Sequence, residues 1–196
     1  MTATHADRRN ATSAEKIWSI EDGVLTAEEG GRVVCRVPLD RVTQVRLALE
    51  MAGKEVQVVC RVSVPGESEA VFGSQSWAGV GQWNNRAQSF RALLGELHTA
   101  LMPRRDEIRF LEGQSLAFRW IMTVFGALMA LIGAAIAVFL LAFEENMAGF
   151  FAVAPAVTGG WIAWLFRPRP PKPYDPEAYA SQNHMSRTAE PVRDPD

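Results

Sequence analysis

Two long stretches without a charged side chain lie near the C-terminal end, and they constrain the fold most. Residues 120–143 and residues 147–166 contain no Asp, Glu, Lys, Arg or His. At 1.5 Å per residue, helices of these lengths measure about 36 Å and about 30 Å, enough to cross a hydrocarbon core of about 30 Å. We therefore predict a transmembrane helical hairpin over residues 120–166 that turns at residues 144–146.

The second stretch is the weaker of the two as an isolated membrane helix. It carries Pro155, Gly159 and Gly160, which destabilise a lone helix. We expect it to insert as the return arm of the hairpin, and the alternative is a re-entrant or interfacial segment.

Basic residues flank both outer ends of the hairpin, whereas the turn between the helices has none. The flanking residues are Arg104, Arg105, Arg109, Arg119, Arg167, Arg169 and Lys172. Because cytoplasmic loops carry the excess of Lys and Arg, this pattern predicts a multi-pass protein of the inner (cytoplasmic) membrane with both termini in the cytoplasm. The polar N-terminus has no apolar stretch of the kind that a secretory signal peptide needs.

Small residues recur every four positions along both predicted helices. They are Gly126, Ala130 and Ala134 in the first, and Ala148, Ala152, Ala156 and Gly160 in the second. Small residues at this spacing let helix backbones approach closely in lipid. We predict that the two ridges pack within one chain, with homo-oligomerisation as the alternative. Since neither helix carries an ionisable residue, ion transport by the hairpin alone is disfavoured.

Residues 15–103 precede the membrane and show the pattern of a separate domain. Six short apolar runs of period two, separated by turns such as Asp22-Gly23, predict antiparallel strands. The period then changes to that of an amphipathic helix that ends before Pro103, with its apolar stripe at Trp83, Ala87, Phe90, Leu94, Leu97 and Leu101. Strands followed by one helix predict an α+β fold. A juxtamembrane linker over 104–119 follows.

Parts of this domain resemble bacterial pleckstrin-homology-like (PH-like) domains. The resemblance lies in residues 17–25, 37–45 and 76–81 and in the helix with Phe90, Leu94 and Leu97. The domain is similar to uncharacterised members of the PH-like group that are anchored in a membrane. The resemblance implies an antiparallel PH-like β-sandwich or barrel capped by one C-terminal amphipathic helix, and a binding or scaffold role.

Several function classes are disfavoured. The 20 Lys and Arg against 22 Asp and Glu give a net charge of −2, which does not favour nucleic-acid binding. No catalytic motif is present in the sequence. A zinc site is disfavoured as well, because His5, His98 and His184 lie far apart in the sequence and the chain has only two cysteines, Cys35 and Cys60. We predict no catalytic residue, no cofactor and no metal, and hence that the chain is not an enzyme.

Two groups of residues are candidates for interaction. Trp77 and Trp83 form either an exposed aromatic contact surface or part of the packing against the sheet. Arg36 and Arg61 hold matching positions in two identical VVCRV segments, and Arg41 or Arg46 can share their face. These arginines form either an anion site or a solvated strand face. The predicted first loop, residues 21–23, is acidic, which disfavours recognition of a phosphoinositide headgroup.

The chain ends are predicted to be disordered. Residues 1–14 are polar, and residues 167–196 contain seven prolines and no apolar period. Together the patterns predict a membrane-anchored, non-enzymatic interaction or scaffold module that presents a PH-like domain in the cytoplasm. Its partners are the lipid bilayer and an unidentified protein. The alternative is a small accessory subunit of a larger transport or envelope-assembly complex, recruited through the transmembrane helices.

Overall fold

The computed structural model describes residues 3–142, 147 and 149–180. The chain forms two compact units. The head unit comprises Met1–Gly113 together with Lys172–Asp196, and the helical unit comprises Gln114–Pro171. The head unit is therefore built from residues on both sides of the helical unit.

Most of the head unit is β-structure. In chain order the strands are β1 (Thr4–Asp7), β2 (Lys16–Glu21), β3 (Val24–Glu29), β4 (Arg32–Pro38), β5 (Gln44–Ala52), β6 (Glu55–Ser63), β7 (Ala70–Gly73), β8 (Gln75–Gly79), β9 (Gln82–Asn85), β10 (Arg109–Glu112) and β11 (Lys172–Pro173). The first sheet has the order β1-β2-β3-β4, and the second has the order β11-β10-β5-β6-β7. β8 and β9 form a separate hairpin. All neighbours are antiparallel except β10, which runs parallel to β5.

Tight turns connect the antiparallel neighbours where the sequence predicts them. Asp22 and Gly23 join β2 to β3 with φ angles of 49° and 74°. A two-residue turn with both residues at positive φ matches the twist of the flanking strands, which is why Asp-Gly is favoured there. The α+β class with antiparallel sheets is thus confirmed.

The helix α1 (Ala87–Leu101) follows the β8–β9 hairpin in the head unit. The prediction that its stripe begins at Trp83 is wrong, because Trp83 lies in β9 directly opposite Trp77. The side chain of Asn85 accepts a hydrogen bond from the backbone N–H of Ala87 at 2.9 Å and marks the beginning of the helix. Short 3-10 turns lie at Leu39–Arg41 and Met102–Arg104.

The core of the head unit lies between the two sheets and α1. Trp18 of the first sheet is 2% exposed, and its ring centroid lies 5.4 Å from that of Phe72 in the second sheet. The helix covers this pair with Phe90, Leu93 and Leu97. Burial of these large side chains supplies most of the favourable free energy of folding.

Both predicted disordered ends contribute ordered residues to the head unit. β1 pairs with β2, and it buries His5 and Asp7. β11 pairs with β10, and residues 176–180 are helical. The prediction of disorder is therefore corrected for residues 4–7 and 172–180. Polar strand β1 is stable because the buried Trp18 indole and the Gly73 backbone N–H both donate to Asp7, at 3.0 Å and 2.9 Å.

The helical unit consists of two apolar helices, α2 (Leu116–Ala142) and α3 (Gly149–Leu165). Of the helices in the described residues, α2 alone is long and apolar enough to cross a membrane by itself, and α3 is a shorter apolar helix. The predicted turn at residues 144–146 and the predicted packing residue Ala148 lie outside the described residues.

The helices pack through small residues in a pattern that differs from the prediction. A Cβ atom on Gly126 would lie 2.7 Å from the carbonyl oxygen of Gly159, and one on Gly133 would lie 2.6 Å from the backbone nitrogen of Ala156. Along each helix, the residues that contact the other helix are spaced alternately three and four positions apart. A strict step of four drifts by about 40° on a helix of 3.6 residues per turn. For this reason Ala134 and Gly160 are exposed instead of packed, whereas Ala130 and Ala152 do lie in the contact.

Candidate functional site

Trp77 and Trp83 form a cross-strand pair on the β8–β9 hairpin, and both are partly buried. The guanidinium carbon of Arg8 lies 4.6 Å from the centre of the Trp77 ring, close enough for a cation–π interaction. The Trp83 indole lies against the β5–β6 turn, where a Cβ atom on Gly53 would lie 3.0 Å from its Nε1 atom. The pair therefore packs against the head unit with one edge and meets solvent with the other.

The tips of the β5–β6 and β8–β9 hairpins expose apolar side chains. Val80 at the tip of β8–β9 is 97% exposed, and Met51 and Val56 at the end of β5–β6 are 67% and 58% exposed. Met51 and Val56 are direct cross-strand partners. They continue the inner row of the hairpin, in which Leu47 and its partner Cys60 are buried. This extension was not predicted, although the unbroken alternation of apolar residues from 45 to 51 is its signal.

The arginines proposed as an anion site, Arg36 and Arg61 with either Arg41 or Arg46, do not come together. Arg36 lies in β4 of the first sheet, whereas Arg46 and Arg61 are direct partners in the second sheet. Arg41 lies in the 3-10 turn and forms an ion pair with Glu67 at 2.6 Å. The predicted matching of Arg36 with Arg61 is wrong because the two VVCRV segments belong to different sheets.

Carboxylates compensate the charge of the paired arginines. Arg61 contacts Glu50 at 2.7 Å and Glu69 at 3.5 Å, and Arg46 contacts Glu69 at 3.5 Å. Glu50 also binds Arg9 at 3.0 Å. Burial lowers the pKa of Arg61, but hydrogen bonding and ion pairing with Glu50 and Glu69 outweigh this effect and raise the pKa overall. This surface is an ion-pair network, and it offers an anion no uncompensated pair of guanidinium groups.

A buried aromatic cluster joins the C-terminal segment to α1. The Nδ1–H of His98 donates to the carbonyl oxygen of Leu94 at 2.7 Å, so Nε2 accepts from the hydroxyl of Tyr174 at 2.7 Å. Tyr179 stacks on His98 with ring centroids 5.4 Å apart. Burial lowers the pKa of His98 to about 4 and raises the pKa of Tyr174. Both groups are therefore neutral at pH 7, and the cluster fixes residues 172–180 in place.

A second buried histidine fixes the N-terminal strand. Nε2 of His5 donates to the carbonyl oxygen of Gly73 at 3.0 Å, and Nδ1 accepts from the Ser89 hydroxyl at 2.9 Å. Burial lowers the pKa of His5 to about 4. Each ring nitrogen has a partner, so neither histidine presents a free base to a substrate.

An open groove of about 490 Å³ lies between β10 and the C-terminal segment, with Arg105, Arg109, Phe110 and Tyr174 among its lining residues. Arg105 forms an ion pair with Glu177. Within the described residues, no group of three or more His, Cys, Asp or Glu side chains is placed to hold a metal ion. The groove thus lies beside the aromatic rings and the Arg105–Glu177 ion pair that attach the C-terminal segment.

Comparison of the chain with protein-family models, with curated proteins and with solved structures finds no match. The resemblance to PH-like domains therefore remains a prediction.

Proposed function

We propose that the protein is a membrane-anchored, non-enzymatic interaction module whose head unit is held at the cytoplasmic face of the inner membrane by a two-helix hairpin. The observation that carries this proposal is the pairing of β10 with β11 in one sheet. Phe110 accepts a further backbone hydrogen bond from Tyr174 at 3.2 Å. The two strands lie immediately before and after the helical unit in the chain.

This pairing bears on how often the chain crosses a bilayer. If α2 crossed alone, residues 109–112 and residues 172–173 would be on opposite sides of the membrane and β10 could not pair with β11. α2 has 27 residues and α3 has 17, which correspond to about 40 Å and about 26 Å of helix. The length of α3 is at the short end of the range of membrane-spanning helices. The sheet pairing supports two crossings.

The surface of the helical unit also supports insertion in lipid. Large apolar side chains point outwards on both helices, and examples are Ile121, Leu131, Phe151 and Trp161, all more than 60% exposed. The described residues that are buried in these helices are small: Gly126, Gly133, Ala137, Gly149, Ala152 and Gly159. Water disfavours such a surface, whereas lipid tails solvate it. The basic residues that flank the hairpin favour cytoplasmic termini.

The protein partner is proposed to bind the exposed edge of the first sheet. β4 is the last strand of that sheet, and Val33 and Val34 are about half exposed. An edge strand offers unpaired backbone groups to a strand from a partner. The PH-like fold that the sequence resemblance implies agrees with a binding role and with the absence of a catalytic motif from the sequence.

A second candidate function is that of an accessory subunit recruited through the membrane helices. Ala134 and Gly160 are exposed small residues outside the contact between α2 and α3, and a Cβ on Gly160 would meet no atom within 4 Å. Small exposed residues in a membrane helix permit close approach by a further helix. This observation favours a helix of another protein as the partner.

Topology is tested with reporter fusions to the full chain. Fusions after Asp196 and within residues 144–146 are expected to report the cytoplasm and the periplasm, respectively. Retention of the chain in the membrane pellet after alkaline carbonate extraction is expected as well. A chain released by carbonate, or two fusions that report the same side, would contradict the proposal.

Affinity capture from detergent extracts separates the two functions. The A134L/G160L variant changes only exposed positions of the helices, and the V33K/V34K variant changes only the exposed edge of β4. Loss of the captured partner in V33K/V34K alone supports the interaction module. Loss in A134L/G160L alone supports the accessory subunit and contradicts docking on β4.

A further inference from the structure

The head unit has an apolar end that the proposed function leaves unused. We propose that the tips of the β5–β6 and β8–β9 hairpins insert into the lipid interface, so that the head unit docks on the bilayer through Met51, Val56, Val80 and Trp83. This inference rests on the proposed function, because it assumes that the chain is anchored in a membrane.

The β5–β6 tip lies at the end of the second sheet towards which β10 also runs. β10 runs parallel to β5 with Glu112 opposite Leu47. The backbone N–H of Gly113 then donates to the carbonyl oxygen of Leu47 at 2.8 Å. The chain therefore leaves β10 in the direction in which β5 continues to Met51. α2 begins at Leu116, three residues after Gly113, a distance of about 10 Å at most.

The return connection enters at the same end of the sheet. β11 is antiparallel to β10, and its first residue, Lys172, pairs with Glu112. Both connections to the apolar helices thus join the head unit at the end of the second sheet that carries the β5–β6 tip. The opposite end of this hairpin carries the β6–β7 loop, residues 64–69, because Ser63 pairs with Gln44.

The chemistry of the tips fits the interfacial region of a bilayer. Met51, Val56 and Val80 offer apolar side chains that are more than half exposed. Trp83, whose indole lies against Gly53, is of the residue type enriched at membrane interfaces. Lys54 in the same turn can extend its ammonium group to lipid phosphates.

The acidic groups near the tips are already engaged. Glu50 binds Arg9 and Arg61, and Glu55 accepts a hydrogen bond from Gln75 at 2.8 Å. The tips thus combine an apolar patch with a basic side chain, and they lie at the end of the head unit from which the chain continues to the apolar helices. This combination favours lipid as the binding partner of the tips.

The test places a fluorophore on each end of the head unit in the full chain. Bimane is attached to V80C or, as the matched control, to S68C in the exposed β6–β7 loop, both in a C35S background because Cys60 is fully buried. The chain is reconstituted in phosphatidylcholine and phosphatidylglycerol vesicles with or without 5-doxyl phosphatidylcholine. We expect the doxyl lipid to reduce bimane emission at position 80 to about half, since interfacial groups lie about 5–10 Å deep, and to leave position 68 unchanged.

A second variant isolates the apolar contribution. M51S/V56S changes two exposed side chains, and it is expected to weaken the quenching at position 80 without changing the thermal unfolding of the protein. Equal quenching at positions 80 and 68 would overturn the inference. In a separate sample of unlabelled V80C protein, air or copper phenanthroline oxidises two neighbouring thiols to a disulfide. Such a disulfide between two copies, together with unquenched bimane at position 80 of the labelled protein, would assign the tips to a second copy of the chain and would overturn the inference too.

Vesicle flotation distinguishes this inference from the proposed function. If the chain floats with the vesicles and position 80 is unquenched, only the docking of the tips fails. If the chain does not float and is released by carbonate, the membrane anchor itself fails.

Discussion

The head unit and the helical unit bury opposite kinds of side chain. The head unit buries large rings such as Trp18 and Phe72, and also polar groups such as His5 and His98, each with hydrogen-bond partners. In the helical unit, the buried described residues are glycines and alanines, and the large apolar side chains face outwards. Water drives large apolar groups inwards, whereas lipid provides no such drive and close backbone contact becomes the source of attraction. This difference between the two units is the one that the proposed insertion of the helical unit in lipid requires.

The largest expected effect comes from adding volume between the two helices. A Cβ atom on Gly159 would lie 2.4 Å from the backbone nitrogen of Ala130, and its neighbour Gly160 meets nothing within 4 Å. We expect G159L to destabilise the helix pair by about 3 kcal/mol or more, because backbone atoms have to move, and G160L to cost less than about 0.5 kcal/mol. Thermal unfolding in detergent, followed by circular dichroism, measures the difference. Equal midpoints for the two variants would show that the helices do not pack in this way.

The next effect concerns only the head unit, because its buried histidines titrate. Burial lowers the pKa of His5 and His98 to about 4, whereas an unfolded histidine has a pKa of about 6.5. Between these values the unfolded chain binds more protons, so stability is lost as the pH falls from about 6.5 towards about 4. Burial raises the pKa of Asp7, so the folded state binds the Asp7 proton more tightly than the unfolded chain does. Protonation of Asp7 therefore offsets part of the stability that the histidines lose as the pH falls.

We expect the free energy of unfolding of the head unit to fall by up to about 3 kcal/mol between pH 7 and pH 5. Near-UV circular dichroism during heating at pH 7, 6 and 5 measures this change. Imidazole resonances assigned to His5 and His98 that titrate with midpoints near 6.5 in the folded protein would contradict it.

A smaller effect tests how the C-terminal segment is held. Y174F removes the hydroxyl that donates to Nε2 of His98 at 2.7 Å. A buried acceptor that loses its donor costs about 1–3 kcal/mol. Y179F is the matched control because Tyr179 stacks on the same ring and its hydroxyl has no hydrogen bond to a described residue. Limited proteolysis after residue 171 is expected to accelerate in Y174F and to stay unchanged in Y179F. Equal rates would show that the ring packing alone holds the segment.

Features set by neighbouring residues were predictable, and features set by distant ones were not. The Asp22-Gly23 turn and the apolar character of residues 120–142 follow from local sequence, and the structure has both. The order of β1 and of the segment around β11 was not predicted, because distant residues stabilise both. His5 of β1 binds Gly73, which is 68 residues away, and Tyr174 beside β11 binds His98, which is 76 residues away. A polar or proline-rich segment contains no local signal for such partners.

The candidate site was predictable in composition but not in arrangement. The sequence leaves open whether Trp77 and Trp83 form an exposed contact surface or pack against the sheet, and the spacing of Trp83 to Ala87 suits a helical stripe although Trp83 lies in β9. Asn85, a favoured residue at the beginning of a helix, was the signal that would have moved the boundary. The identical segments around Cys35 and Cys60 suggested one shared face, but only the order of strands in the sheets determines that Arg36 and Arg61 lie apart.

The smallest effect separates ion pairs by their surroundings within the head unit. The Arg41 side chain is 54% exposed and, among the described residues, forms an ion pair with Glu67 alone, whereas the Arg61 side chain is 29% exposed and binds both Glu50 and Glu69. Exposed pairs contribute about 0–1 kcal/mol because water and salt screen them. We expect R41A to change the stability by less than about 0.5 kcal/mol. R61A removes one of the two ion-pair partners of Glu50 and of Glu69, which then keep Arg9 and Arg46, respectively, in a partly buried network. We therefore expect the loss of stability in R61A to be about twofold larger than in R41A, or more. Thermal unfolding at low and at high salt measures both, and salt should weaken the R41A effect most. A larger loss in R41A than in R61A would show that the network around Glu50 does not stabilise the sheet.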